Sequence, residues 1–157
     1  VEQCGTEQDY IKRKPSYYAW YEFYPNPGYR ITNAPVSPGD RITARVHYNG
    51  SNSFTLTMSS SQGWSFTKTQ SVSGAARASA EWIEEAPSSF SGVLDLTNFG
   101  TASFSNCTAA QNNGPSLGIS NWTYDAITMV DGSGATKAFP SGLSGGNSFT
   151  DTWANCH

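Results

Sequence analysis

Apolar and polar residues alternate along much of this chain, and a period of two predicts β-strands. In residues 40–48 (DRITARVHY), Ile42, Ala44, Val46 and Tyr48 fall on one face, and charged or polar residues fall on the other. The same reading predicts further strands over 16–24, 53–59, 64–70, 78–85, 102–109 and 122–130. Turn signals such as PNPG, SPGD, NGSN, NNGP and DGSG separate many of them. The pattern therefore predicts an all-β protein, a β-sandwich of two antiparallel sheets.

The length of 157 residues fits one domain that can bury a core of its own, so we expect a single domain over residues 1–157. The opening VEQCGT reads as the end of a strand, and Val1 is preceded by no turn or cap. We therefore expect further strands of this domain to lie in an N-terminal segment that is removed or travels as a separate chain.

Charge and composition limit the classes of partner that this protein could bind and indicate where it works. The formal net charge is -3, and the 9 basic residues are scattered, so no positive stripe is available for nucleic acid or for an anionic membrane surface. The apolar runs are too short to span a bilayer, and the first residues do not resemble a signal peptide. The sequence is rich in Ser, Thr, Asn and Gly and has few Lys and Glu residues, a composition that favours a secreted, extracellular protein. Because few carboxylates have to be protonated in acid, we also expect the protein to tolerate acid.

The cysteines indicate neither a metal site nor a cofactor. Cys4, Cys107 and Cys156 are odd in number and form no CxxC pair, and no histidine stands at metal-ligand spacing from them. Two of the three could pair in an oxidising compartment, and the sequence leaves that choice open.

An unusual group of carboxylates stands at residues 78–87 (ASAEWIEEAP), in a chain where only 13% of residues are charged. In a strand, Glu81, Ile83 and Glu85 share one face, whereas Trp82 and Glu84 share the other. We expect Glu81 to be partly desolvated beside apolar neighbours, which would suit it to proton transfer. Trp82 is interpreted as core packing, and Glu84 and Glu85 as rim or surface carboxylates without a catalytic role.

Three motifs raise Glu81 above an ordinary strand-end carboxylate. VEQCGT, SYYAWYEFYP and SAEWIEE occur in the order and at about the separations found in the glutamic peptidases, the eqolisin family of secreted acid endopeptidases. The resemblance continues through VSPGDRITARV and NFGTASFSN to ITMVD, and thus covers nearly the whole chain. It implies a lectin-like jelly-roll sandwich, a protein or peptide substrate, and similarity to bacterial more than to fungal members.

The resemblance also implies a catalytic dyad. Gln3 matches the family's glutamine, although Gln-Cys-Gly-Thr here replaces the more usual Gln-Thr-Gly, and Glu81 matches the glutamate of Ala-Glu-Trp-Ile. In the implied mechanism, Glu81 takes a proton from a water that attacks the scissile carbonyl and returns it to the leaving amine. Gln3 donates its amide to the oxyanion, and it keeps that ability at acid pH because it does not titrate.

The aromatic strand at 16–24 is implicated in substrate binding by the same resemblance. Trp20, Glu22 and Tyr24 lie on one face together with Tyr18, which stands where the family often has an aspartate. The resemblance singles out Glu22 and Tyr24 as groups that line the cleft, and we include Trp20 in the candidate substrate-binding set. Core packing is the commoner role of an aromatic-rich strand.

Two alternatives remain open at the level of sequence. A non-catalytic, lectin-like sandwich could use exposed aromatics to bind carbohydrate, but it would have no need of Gln3. A glycosidase could use Glu81 with a second carboxylate across a cleft, but it would not explain the glutamine or the peptidase-like motifs. A possible N-terminal light chain from the same precursor is the only protein partner that we predict besides substrate.

Overall fold

The computed structural model describes residues 1–90 and 92–156, which divide into two compact units, Val1–Arg77 and Ala78–His157. Within the described residues, β-strands make up nearly all of the regular structure, beside a short 3-10 turn at Ile119–Asn121. No helix in the described part of the chain is long and apolar enough to cross a membrane. The all-β prediction is confirmed, whereas the single domain over 1–157 stays a prediction.

The first unit holds two three-stranded antiparallel sheets, in the orders β1-β2-β3 and β4-β5-β6. Their strands are β1 (Glu2–Ile11), β2 (Lys14–Phe23), β3 (Tyr29–Arg30), β4 (Ile42–Gly50), β5 (Ser53–Ser60) and β6 (Ser65–Ser71). A two-residue turn at Lys12 and Arg13 joins β1 to β2, and both residues have positive φ. That conformation is typical of tight hairpins, because it matches the twist of the flanking strands.

The core of the first unit lies between these two sheets. One cluster packs Ala19 of β2 against Met58 of β5, and another packs Phe23 of β2 against Phe54 and Leu56 of β5. The predicted alternation of β2 is confirmed. In the structure its odd-numbered residues face the core, and its even-numbered residues face away from it. Strands predicted over 16–24, 53–59 and 64–70 are confirmed with shifts of one or two residues at their ends.

The second unit contains a four-stranded antiparallel sheet in the order β12-β13-β14-β9 and two short strand pairs, β7-β8 and β10-β11, among its described residues. Its strands are β7 (Ser88–Ser89), β8 (Gly92–Val93), β9 (Thr101–Phe104), β10 (Thr108–Ala109), β11 (Leu117–Gly118), β12 (Met129–Val130), β13 (Thr136–Pro140) and β14 (Phe149–Trp153). Ala86, Leu96 and Ala138 form its buried cluster.

Three predicted strands need correction in this unit. The strand expected over 102–109 is divided into β9 and β10, because Asn106 adopts a positive φ that interrupts an extended chain. Only the last two residues of the strand expected over 122–130 are paired, as β12. Residues 78–85 form no strand at all, since alternation reports which side chains face inward but not whether the backbone finds a partner.

Candidate active site

Gln3 and Glu22 lie directly opposite each other on β1 and β2. The side-chain amide of Gln3 donates a hydrogen bond to the Glu22 carboxylate. The next residue, Cys4, faces the opposite side and packs against the core of the first unit. The strand that carries Gln3 is thus held by its ladder to β2 on one edge and by core packing beneath it, which keeps the amide in one orientation.

Trp20 lies on the same face as this pair, opposite Gly5. A side chain built on Gly5 would meet the indole Nε1 at 3.6 Å, and one built on Gly28 would meet its Cε3 at 3.7 Å. The indole therefore lies against the backbone at both glycines and forms an aromatic floor on this face. Tyr24, the third candidate substrate-binding residue, follows the end of β2 and is 62% exposed.

A groove of about 430 Å³ continues along the same face toward the β1-β2 turn. Glu7, Asp9, Ile11, Ser16, Tyr18, Trp20, Gly28 and Arg30 line it. The Arg30 guanidinium stacks on the Tyr18 ring, 4.9 Å from its centroid. Burial, together with a hydrogen bond from the hydroxyl to Glu7 and the negative charge of that carboxylate, raises the pKa of Tyr18.

Sequence reasoning missed this groove, although a signal was present. Gly5, Glu7 and Asp9 are two residues apart, so the alternation of β1 puts them on the Gln3 face. Unlike the aromatic residues of β2, the residues of β1 beyond Gln3 were not predicted to bind substrate.

Glu81 lies in the second unit, in an extended segment outside any strand. Its side chain is exposed, and Ser79 Oγ donates a hydrogen bond of 2.7 Å to its Oε1. The expectation that Glu81 is partly desolvated on a sheet face is therefore wrong. The physical reason is the alternation of this segment, which turns the even-numbered side chains inward and leaves Glu81, Ile83 and Glu85 outside.

Glu84, which was expected to be a rim or surface carboxylate, is half-buried. It shares the inward face with Trp82 and with Ala86, which is 6% exposed and belongs to the core of the second unit. Burial and the negative charge of Asp151 together raise the pKa of Glu84 to about 7. The position of Glu84 midway between Trp82 and Ala86 was the signal that could have predicted its burial. Glu85 is exposed as expected.

Asp151 is a buried carboxyl group close enough to Glu84 for its charge to act on it. It lies on β14 between Pro140 of β13 and Ala102 of β9, and it is 9% exposed. Its Oδ1 has no hydrogen-bond partner. Burial raises the pKa of Asp151, and a hydrogen bond from the Thr152 backbone partly opposes that shift. Burial in this region therefore shifts the pKa of both carboxyl groups upward.

The cysteines lie apart from this chemistry. Cys4, Cys107 and Cys156 are all free thiols. Burial raises the pKa of Cys4 to about 11, although a hydrogen bond donated by the Arg45 backbone N–H partly opposes this shift, and burial also raises the pKa of Cys107. Both are poor nucleophiles, since the thiolate is the reactive form. Among residues 1–90 and 92–156, no three His, Cys, Asp or Glu side chains are grouped so as to hold a metal ion.

Comparison with known proteins links both units to one family. The model of the Peptidase A4 family matches residues 1–151. The chain is 33% identical over 144 residues to aspergillopepsin-2 of Aspergillus niger. The aligned region covers 89% of this chain and 50% of that protein. The chain thus spans about half the length of the curated relative it matches.

A solved structure matches over nearly the whole chain. It is aspergilloglutamic peptidase from Aspergillus niger, with a TM-score of 0.82 and 30% identity over 98% of this chain and 89% of that one. This likeness confirms the predicted β-sandwich class.

Proposed function

The chain belongs to the Peptidase A4 family, and on that premise we propose that it is a secreted acid endopeptidase acting through Gln3 and Glu81. The resemblance to the glutamic peptidases read from the sequence is confirmed by the two Aspergillus proteins. The observation that carries the proposal is the hydrogen bond from the Gln3 amide to Glu22, because it orients a non-titrating donor on a rigid strand face.

Gln3 acts as the oxyanion donor. A primary amide has two N–H groups, and the bond to Glu22 uses one and fixes the plane of the amide. The other N–H remains for an oxygen that gains negative charge, and a donor oriented in advance costs no reorganisation when that charge develops. Glu22 is a positioning residue in this scheme.

Glu81 acts as the base and then the acid. Its exposed carboxylate can accept a proton from water, and the Ser79 hydroxyl at 2.7 Å restrains one of its oxygens. The water oxygen forms a bond to the scissile carbonyl carbon while its proton passes to Glu81. When the tetrahedral intermediate collapses, the C–N bond breaks, Glu81 gives the proton to the leaving amine, and a carboxylic acid and an amine are released.

The substrate backbone lies along the face of β1 and β2 in this proposal. Trp20 provides the apolar floor on the Gln3 face, and Tyr24 follows the end of β2. An aromatic surface that is flat and partly exposed binds side chains of many shapes, which suits an endopeptidase with a protein substrate.

The test is hydrolysis of a denatured protein at acid pH by Glu81→Gln. This change keeps the size of the side chain and removes the base, so we expect loss of nearly all activity with an unchanged unfolding transition. Glu85→Gln is the matched control, because Glu85 is exposed on the same segment and has no role in the scheme. Activity of Glu81→Gln close to that of the parent would refute the assignment.

We also propose a light chain from the same precursor as a partner. The supporting feature is β4, a strand of nine residues at the edge of its sheet, whose outer edge pairs with no described strand and whose Val46 is 47% exposed. Long, apolar edges of this kind pair readily with another strand. Intact-mass analysis of the active enzyme under native and denaturing conditions checks this: a single chain that is fully active would exclude the partner.

Secretion rests on composition, since polar uncharged residues dominate the surface and few carboxylates must be protonated in an acidic medium. Activity that accumulates in the medium of the producing cells, and not in washed cells, is the expected result.

A further inference from the structure

The groove beside the Gln3 face has features that the catalytic scheme does not use. We propose that it is a substrate subsite that selects a lysine or arginine side chain. This inference rests on the proposed endopeptidase function and adds a side-chain specificity to it.

The floor of the groove suits the aliphatic part of such a side chain. Trp20 lies flat between Gly5 and Gly28, and the Tyr18 ring is fixed by Glu7 at its hydroxyl and by Arg30 on its face. Long charged side chains pack their methylene groups on surfaces of this kind while the charged end reaches polar groups. A rigid floor also lowers the entropy lost on binding.

The walls of the groove select positive charge. Glu7 and Asp9 both line it, and no salt bridge neutralises either carboxylate within the described residues. Arg30 is the one cation among the lining residues, and its guanidinium stacks on Tyr18. The groove therefore presents two carboxylates and one guanidinium that stacks on Tyr18. Lys12 and Arg13 lie in the hairpin turn, and Lys14 pairs with Ile11 at the far end of the groove and is not one of its lining residues.

The position of the groove sets where the basic residue must stand in a substrate. Gly5 is two residues and Asp9 six residues from Gln3 along one strand, or roughly 7 to 20 Å at about 3.3 Å per residue. A peptide bound in extended form has the same rise per residue. A side chain in the groove is therefore separated from the scissile bond by roughly two to six residues.

The experiment uses a set of peptides that share one cleaved sequence. A single lysine is moved from the second to the sixth position on either side of the scissile bond, and each peptide is matched by one with norleucine, which keeps the methylene chain but has no charge. The assay is run at about pH 5, above the ordinary titration range of peptide carboxyl groups. We expect kcat/KM to be about tenfold higher for lysine than for norleucine at one or two positions, the gain typical of a hydrogen-bonded ion pair.

The double variant Glu7→Gln, Asp9→Asn tests the assignment to this groove. We expect the lysine-to-norleucine ratio to fall to about one, because the change removes both charges and keeps both shapes. Asp125→Asn removes one negative charge at an exposed position of the second unit, and it should leave the ratio unchanged. A double variant that keeps the preference would place the selecting charge elsewhere and overturn the proposal.

The remaining outcomes separate this inference from the proposed function. If the parent cleaves the norleucine peptides, and Glu81→Gln does not, but lysine brings no gain at any position, only the subsite is refuted. A gain for glutamate in place of lysine would also refute it, since Arg30 would then determine the selection. If the parent cleaves no peptide, the endopeptidase function itself fails.

Discussion

Replacement of Glu84 by glutamine should make the folded protein more stable at neutral pH. In the folded state Glu84 has a pKa of about 7, against an ordinary value of 4.5, because of its burial and the nearby charge of Asp151. Between these pH values the folded protein keeps a proton that the unfolded chain releases. The free energy of unfolding therefore falls as pH rises through this window, and the stabilisation present below pH 4.5 is lost above about pH 7.

The size of the effect follows from the same two values. Each tenfold difference in proton affinity is worth 1.36 kcal/mol, so the full difference corresponds to about 3 kcal/mol. Glu84 is half-buried, and solvent screening reduces the expected loss to about 2 kcal/mol. Glutamine has no proton to lose, so Glu84→Gln should gain about 2 kcal/mol relative to the parent between pH 4 and pH 8.

The free energies of unfolding of the parent and of Glu84→Gln are measured at pH 4 and pH 8 by urea unfolding followed by tryptophan fluorescence. The change with pH is then compared between the two proteins. Glu85→Gln is the control, because Glu85 neighbours Glu84 in sequence but is exposed, and its stability should follow the parent at both pH values. A further check is Asp151→Asn, which removes the neighbouring charge and should lower the pKa of Glu84 in an NMR titration. If Glu84→Gln loses as much stability as the parent between pH 4 and pH 8, the reasoning is wrong.

Three other predictions concern the proposed dyad and the core. Gln3→Ala should lower kcat by about a hundredfold, the usual cost of an oxyanion donor, and leave KM nearly unchanged; a change confined to KM would mean that Gln3 only positions substrate. Activity should resist pepstatin-type, serine-directed and thiol-directed inhibitors and chelators, and complete inhibition by any of them would count against the dyad. Leu56→Ala should lower the free energy of unfolding by about 2–5 kcal/mol, since Leu56 is fully buried; a loss below about 1 kcal/mol in urea titration would contradict the described core.

The sequence predicts the faces of this protein's strands better than their pairing. Alternation correctly put Trp20 and Glu22 on one face of β2, opposite the face that carries the buried Phe23, because the side-chain direction in an extended chain is a local property. Pairing depends on residues distant in sequence, which is why the segment that carries Glu81 was wrongly predicted to be a strand. The motifs located Gln3 and Glu22, which the structure brings into contact within one unit, but no motif indicated the groove at Glu7 and Asp9.

Burial, unlike facing direction, also depends on what covers a side chain. Glu84 and Glu85 are adjacent in a polar stretch of the sequence, yet only Glu84 faces inward. It does so because it shares a face with Ala86, which packs in the core of the second unit. Sequence patterns that count a glutamate as polar assign both to the surface. For the same reason, sequence patterns do not predict that Oδ1 of Asp151 is buried without a hydrogen-bond partner.

Glu84 and Asp151 change the dependence of stability on pH that the composition predicts. A chain with 12 acidic residues is expected to tolerate acid, because few carboxylates must be protonated on acidification. Glu84 and Asp151 add an effect in the same direction from a different cause, since burial raises the pKa of each. Rising pH ionises Glu84, which the folded second unit keeps protonated until about pH 7, so the free energy of unfolding of this unit falls as the pH rises. The proposed proton transfers at Glu81 and the stability of the unit that carries Glu81 would then share an acidic working range.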